Sequence, residues 1–219
     1  MSRVEFAATC LTSHARWRSS LTAACLLLVA SLAGATTMRP QNLADLVGLS
    51  ETIVIGTVEK VTDGFDERRI PYTEVTIRVG ERLRGGAGET LRFRQFGLLK
   101  PRTIDGRLYL GVSPEGWPSW QERERVMVFL GRPARWTGLR TTVALAQGKM
   151  QFRGGTLANS AQNAGLFKNL EITAGGLNAS QQAMLRTDRT PVGADAFVSL
   201  VRRAVSEDWV GKGTMRHAN

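Results

Sequence analysis

Residues 52–58 read Thr52-Ile-Val-Ile-Gly-Thr-Val58. Apart from the glycine every residue is β-branched, and the run does not alternate with polar residues. That pattern predicts a central strand buried on both faces. A second run, Val126-Met-Val-Phe-Leu130, has the same character and ends at Gly131-Arg132-Pro133. Two such strands need neighbours, and the chain between them supplies half-buried ones. Tyr72 to Leu83 alternates, with Val75, Ile77 and Val79 on one side and Thr76 and Arg78 on the other. Leu91 to Arg94 does the same, with Leu91 and Phe93 inward and Arg92 and Arg94 outward. Asp63 to Arg69 reads as an exposed hairpin loop, and Gly85-Gly86-Ala87-Gly88 as a turn. Gly97 to Arg125 is a long irregular stretch with Pro101, Pro114 and Pro118. Thr141 to Phe152 holds one or two strands interrupted at Gly148.

Helices flank this β-rich centre. Leu43, Leu46 and Val47 follow Asn42, a good N-cap, and Gly48 ends the element. Residues 154–176 are rich in Gly, Asn and Ala and read as loop. Asn178 begins a helix with Gln181 at the capping-box position. The last helix is expected over Asp195 to Val205, with Phe197, Val198, Val201 and Val205 inward and Ser199, Arg202, Arg203 and Ser206 facing water. No internal repeat is visible.

The N-terminal stretch His14 to Ala35 has the order of an export leader. Arg16 and Arg18 come first, an apolar run from Leu21 to Leu32 follows, and Ala33 and Ala35 close it. The run is shorter than the ~20 residues a spanning helix needs, although an uncleaved anchor is the alternative reading. Cys25 opens into the run instead of closing it, which argues against lipidation. A signal peptide over residues 1–35, cleaved near Ala35, implies a periplasmic or extracellular protein. Cleavage removes Cys10, Cys25 and His14, and leaves His217 near the end as the sole imidazole.

These losses exclude more chemistry than any motif suggests. No thiolate nucleophile, disulfide or Cys/His zinc site remains. A Ser-His-Asp triad would have to use His217, expected in a frayed tail. Carboxylate pairs, Lys bases and carboxylate-bound metals are left, and none shows a recognisable spacing. Asp63, Asp66 and Glu67 do not follow the calcium-loop pattern. Glu122 and Glu124 alternate with Arg123 and Arg125 as a salt-laced start to a strand, and Asp188 beside Arg189 reads as a turn cap. The expectation is therefore no catalytic residue, no metal and no cofactor.

Five pieces taken in order carry a resemblance: LADLVGLSETIVIGTVEKV, TEVTIRVGERLRG, a long Gly/Pro loop, ERVMVFLGRP and VALAQGKMQF. They resemble an uncharacterised domain of bacterial exported proteins, which is similar to the OB-type β-barrel of netrin-like modules and tissue inhibitors of metalloproteinases. Ser50-Glu51 stands where that pattern has Ala-Asp, and Arg123-Glu124-Arg125 where it has Gly-Glu. The resemblance implies a mainly β fold with flanking helices: a small OB-like (netrin-like) β-barrel of five or six strands over residues 36–153. Residues 154–219 form a loop and helical extension, with its C-terminal amphipathic helix packed on the barrel. The inhibitors act through an N-terminal cysteine. The expected mature start, Thr36-Thr37, has none, so the resemblance implies the fold and not that mechanism.

A binding role remains. Trp117, Trp120 and Trp136 lie in or beside the irregular loops, with Arg123, Arg125 and Arg135 among them. Trp and Arg together make protein hot spots and stack on sugars. The same tryptophans could instead plug the open ends of a small barrel. Arg78, Arg92 and Arg94 are expected on one outer strand face. The chain has 29 Lys+Arg against 19 Asp+Glu, and after cleavage 21 Arg against 5 Lys; that excess of Arg over Lys suits a basic face for anionic envelope material, or reflects base composition alone. The reading is an exported non-enzymatic binding module for an envelope or secreted protein. The alternatives are a binder of anionic glycans or a lipid surface, and a hydrolase with an unrecognised carboxylate site. Nucleic acid is not an expected partner of an exported chain, and the oligomeric state is open.

Overall fold

Strands β1 (Thr52–Phe65) and β6 (Arg125–Leu130) lie antiparallel, with Thr52 opposite Leu130 and Thr57 opposite Arg125. In this computed structural model, which describes residues 41–86 and 88–218, the two strands separate two hydrophobic cores. Ile53, Ile55, Met127 and Phe129 enter the first core; Val54, Val58, Val126, Val128 and Leu130 enter the second. That division is the physical meaning of the unbroken β-branched run: both faces of the strand are interior. The expected leader lies outside the described residues.

Around this pair the main sheet has seven strands in the order β10-β8-β7-β6-β1-β2-β3, antiparallel at every step. Its other members are β2 (Pro71–Arg84), β3 (Thr90–Phe96), β7 (Lys149–Arg153), β8 (Thr156–Ala158) and β10 (Val192–Gly193). Two small two-stranded sheets accompany it. One joins β4 (Arg102–Ile104) to β5 (Arg107–Tyr109), the other β9 (Leu170–Ile172) to β11 (Met215–His217).

The long strand β1 serves two neighbours, β6 over its first half and β2 along most of its length. Its ladder with β2 slips in register at Ile53/Val54, Ile55/Gly56 and Val58/Lys60. Such irregularities increase local twist and bend a sheet. Gly56 makes one of them feasible, because a Cβ there would lie 2.3 Å from the Arg78 carbonyl oxygen and 2.6 Å from Ile77 Cγ2. The curled portion β1-β2-β3-β6 encloses the second core, with Val75, Ile77, Leu91 and Phe93 facing inward as their alternation requires.

The mainly β class with flanking helices holds, but the strand count exceeds the expected five or six. Among the described residues, no strand pairing closes the sheet, and β3 and β10 are its edges. The segment 140–143 nevertheless reaches from one side of the curl to the other. Val143 N–H donates to Phe129 O (2.8 Å), and Arg140 N–H to Arg94 O on β3 (2.7 Å).

Helices α1 (Leu43–Leu49), α2 (Ala179–Met184) and α3 (Ala194–Ser206) contribute to the first core. Both expected caps form as reciprocal boxes, Asn42 with Asp45 and Asn178 with Gln181. On α3, Phe197, Leu200, Val201 and Ala204 are fully buried, and burying a side chain such as Phe197 is worth about 1.5–3 kcal/mol. The expected boundary at 153 falls on the turn between β7 and β8. Residues beyond it provide β8, β10, α3, Trp209 and Met215, so they complete the first core instead of decorating it. His217 is likewise not in a frayed tail. It pairs with Leu170 in the β9–β11 ladder, and its Nδ1 lies 3.3 Å from Asp45 Oδ2.

Candidate binding groove

The site is built where β6 and β7 begin. Arg123 adopts a positive φ of 69°, turning the chain so that its N–H meets Val58 O (2.7 Å) while Glu124 O accepts from Val58 N–H (2.9 Å). This places the Glu124 side chain beside Lys149, the first residue of β7. Lys149 Nζ lies 2.6 Å from Glu124 Oε1, and the two side chains are only 12% and 5% exposed. The carboxylate also accepts from Gln121 N–H (2.9 Å) and Gln151 Nε2 (3.3 Å). Lys149 donates to the Ser119 carbonyl and stands 4.9 Å from the Trp120 ring centroid. Burial pushes the Lys149 pKa below the usual lysine range, while the hydrogen bond and charge of Glu124 oppose that shift.

Trp120 is buried, not displayed. Its Nε1–H donates to Gln95 Oε1 (2.8 Å), and its ring meets Phe93 edge-on at 5.4 Å between centroids. Gln95 Nε2 in turn donates to Pro118 O (3.1 Å). The indole thus closes the second core and ties the 113–121 loop to β3, which corrects its expected place on a binding surface. A buried Trp with a satisfied N–H is a packing element.

Above the ion pair runs a groove of about 520 Å³. Half-buried Trp117 over buried Pro118 forms one wall, Gln151 and Arg153 of β7 a second, and Gln162 and Pro191 the far rim. Trp117 rests edge-on against Phe96 with centroids 6.3 Å apart. The far rim is set by two interlocked asparagines. Asn159 Oδ1 accepts from Asn163 N–H (2.9 Å) and Asn163 Oδ1 from Asn159 N–H (3.0 Å), both buried. That clamp presents Gln162 in a left-handed conformation (φ 53°). The side chains of Gln121 and Gln162 have no hydrogen-bond partner among the described residues, so both retain donors and acceptors toward the groove.

The six expected binding residues do not form one patch. Of the three tryptophans only Trp117 lines the groove with a half-exposed ring. Trp136 is 86% exposed on the 131–140 loop beside exposed Arg135, and its carbonyl accepts from Arg68 Nη1 (2.7 Å). Arg123 is exposed at the turn it shapes. Arg125 stacks its guanidinium 4.5 Å from the Phe152 centroid and borders a different hollow with Arg78. The sequence pattern placed these residues close in number, and the turn at 123 and the strand β6 then send them to different sides.

Arg78, Arg92 and Arg94 do share the outer face of β2 and β3, since Arg92 lies opposite Thr76 and Arg94 opposite Glu74. The face is not bare positive charge, however. Arg78 pairs with Glu59 (3.2 Å), Arg94 with Glu74 (2.7 Å), and Arg92 with Glu74 more loosely (3.9 Å). The Glu74 hydrogen bond raises the Arg94 pKa, and Arg94 lies 4.2 Å from the Tyr72 centroid. Exposed pairs of this kind contribute at most about 1 kcal/mol each.

Three further carboxylates do structural work. Asp66 caps the β1–β2 turn through Arg68 and Ile70 N–H, Glu122 accepts from Val61 N–H, and Asp188 accepts from Gly165 N–H. Among the described residues no group of three or more His, Cys, Asp or Glu is arranged to hold a metal ion. Compared with known proteins, the chain matches no family's sequence profile, no curated protein and no solved structure.

Proposed function

We propose that this protein is an exported binding module that holds an extended segment of a partner polypeptide in the groove beside Trp117. The observation carrying this reading is the lining itself. Gln121 and Gln162 offer planar amides that match a peptide main chain, while Trp117, Ala146 and Pro191 offer apolar surface for its side chains. The buried Glu124–Lys149 pair makes a rigid polar floor. Export is inferred from the leader order in residues 14–35. The OB-like barrel reading of the curled half draws support from the β1-β2-β3-β6 enclosure of one core and from the 140–143 segment that spans β6 and β3.

A pull-down from envelope extract tests the reading. Trp117→Ala and Gln162→Ala should each melt as the parent does. A Trp117 that acts as a hot spot carries about 2 kcal/mol, roughly a thirtyfold loss of affinity. Undiminished capture by the folded Trp117→Ala protein refutes the groove as the recognition face. Capture of acidic glycans in place of protein replaces the polypeptide with that ligand.

A further inference from the structure

A second surface lies where β1 turns into β2. Three segments meet there. Phe65 packs on Tyr109 of β5, with centroids 4.8 Å apart. Asp63 accepts from Leu99 N–H (2.7 Å) and pairs with Arg102. Arg68 holds the carbonyl of Trp136 on the 131–140 loop. What these contacts leave facing outward is apolar. Leu108 is 62% exposed, Leu110 67% and Trp136 86%, and Leu99 and Val112 are exposed as well. So many large apolar side chains exposed at one end of a protein mark an interaction surface.

The same end carries unpaired cations. Residues 63–70, 98–115 and 133–139 hold six Arg or Lys against five Asp or Glu, and Asp63 and Asp66 among the acids are engaged by Arg102 and by backbone N–H groups. Arg68, Arg69, Lys100, Arg107 and Arg135 are all exposed and make no ion pair among the described residues. This separates the surface from the β2–β3 face, where Arg78, Arg92 and Arg94 each meet a carboxylate.

We infer that this end docks on an anionic lipid bilayer, with Leu108, Leu110 and Trp136 entering the boundary between headgroups and acyl chains. Apolar tips, an exposed Trp and flanking long cations are the parts of an interfacial anchor. The cations lie at headgroup phosphates and their apolar stems follow the rings and leucines inward. A protein-binding centre is depleted of charge, whereas here charge and apolar surface interleave. The inference uses no residue of the groove, so either can fail without the other.

Vesicle flotation tests it, with the full protein as purified from the cells that make it. Vesicles of mixed phosphatidylglycerol and phosphatidylcholine should carry the protein, vesicles of phosphatidylcholine alone should not, and salt should weaken the association. The variant Leu108→Asp with Leu110→Asp should lose about tenfold or more in partitioning at unchanged melting temperature. Trp136→Ala should lose part of it. Soluble glycerol phosphate should not compete, because the surface reads a bilayer and not a lone headgroup. Equal flotation with neutral vesicles, none with anionic ones, or an unaffected double variant would each overturn the proposal.

Discussion

Trp120→Ala will destabilise the protein by about 3–5 kcal/mol, the range for deleting a large aromatic from a packed core. For a domain of this size that lowers the melting temperature by roughly 10 °C. The indole fills the mouth of the second core against Phe93, supports the Lys149 ammonium and satisfies Gln95. Trp120→Phe should cost less, because it keeps most of the apolar contact and leaves only the Gln95 oxygen without its donor. Denaturant unfolding measures both. A loss below about 1 kcal/mol for the alanine variant would mean that the core does not depend on this ring.

Lys149→Met is expected to cost about 3 kcal/mol or more, since it leaves the Glu124 carboxylate buried without its cation. Glu124→Gln leaves the ammonium in the same position and should cost a similar amount. The double variant, Lys149→Met with Glu124→Gln, should regain much of the loss, because neither residue is then charged. The comparison separates the worth of the pair from the penalty of breaking it. A double variant that loses the sum of the two single losses would show that the side chains do not couple. The pair then would not form the rigid floor attributed to it.

The sequence made the longer elements legible because their side chains repeat with a period. β1, β2, β3, β6 and α3 each present enough residues for alternation or four-residue spacing to show, and the caps at Asn42 and Asn178 showed by residue type, the second also by Gln181 at N3; the Asp45 half of the first box came only with the structure. Strands β8, β9 and β10 did not, being two or three residues long and set among Gly and Asn. No period exists over so few positions, and their pairing is decided by the first core beneath them. The β4–β5 hairpin was hidden for the same reason, within a stretch whose prolines read as irregular.

The site was less legible than the fold. Trp117 stood out by residue type, but Trp120 and Trp136 are the same residue type with opposite fates, one buried and one displayed. Composition cannot distinguish them; the distinction comes from Gln95 lying within reach of one indole N–H. Lys149 carried no signal at all, because its role depends on β6 and β7 bringing it to a glutamate 25 positions away. The asparagine clamp at 159 and 163 was visible only as a polar loop. Its rigidity comes from side chains bonding each other's backbone.

Site-directed photo-crosslinking in the living cell tests the central claim most directly. A photoreactive residue replaces Gln162 at the groove rim in one protein and Glu89, on the exposed β2–β3 turn, in another. The account predicts a discrete polypeptide adduct from position 162 that is absent from position 89 and diminished by Trp117→Ala. Adducts of equal yield at both positions, or none at position 162 in a folded and exported protein, would contradict it.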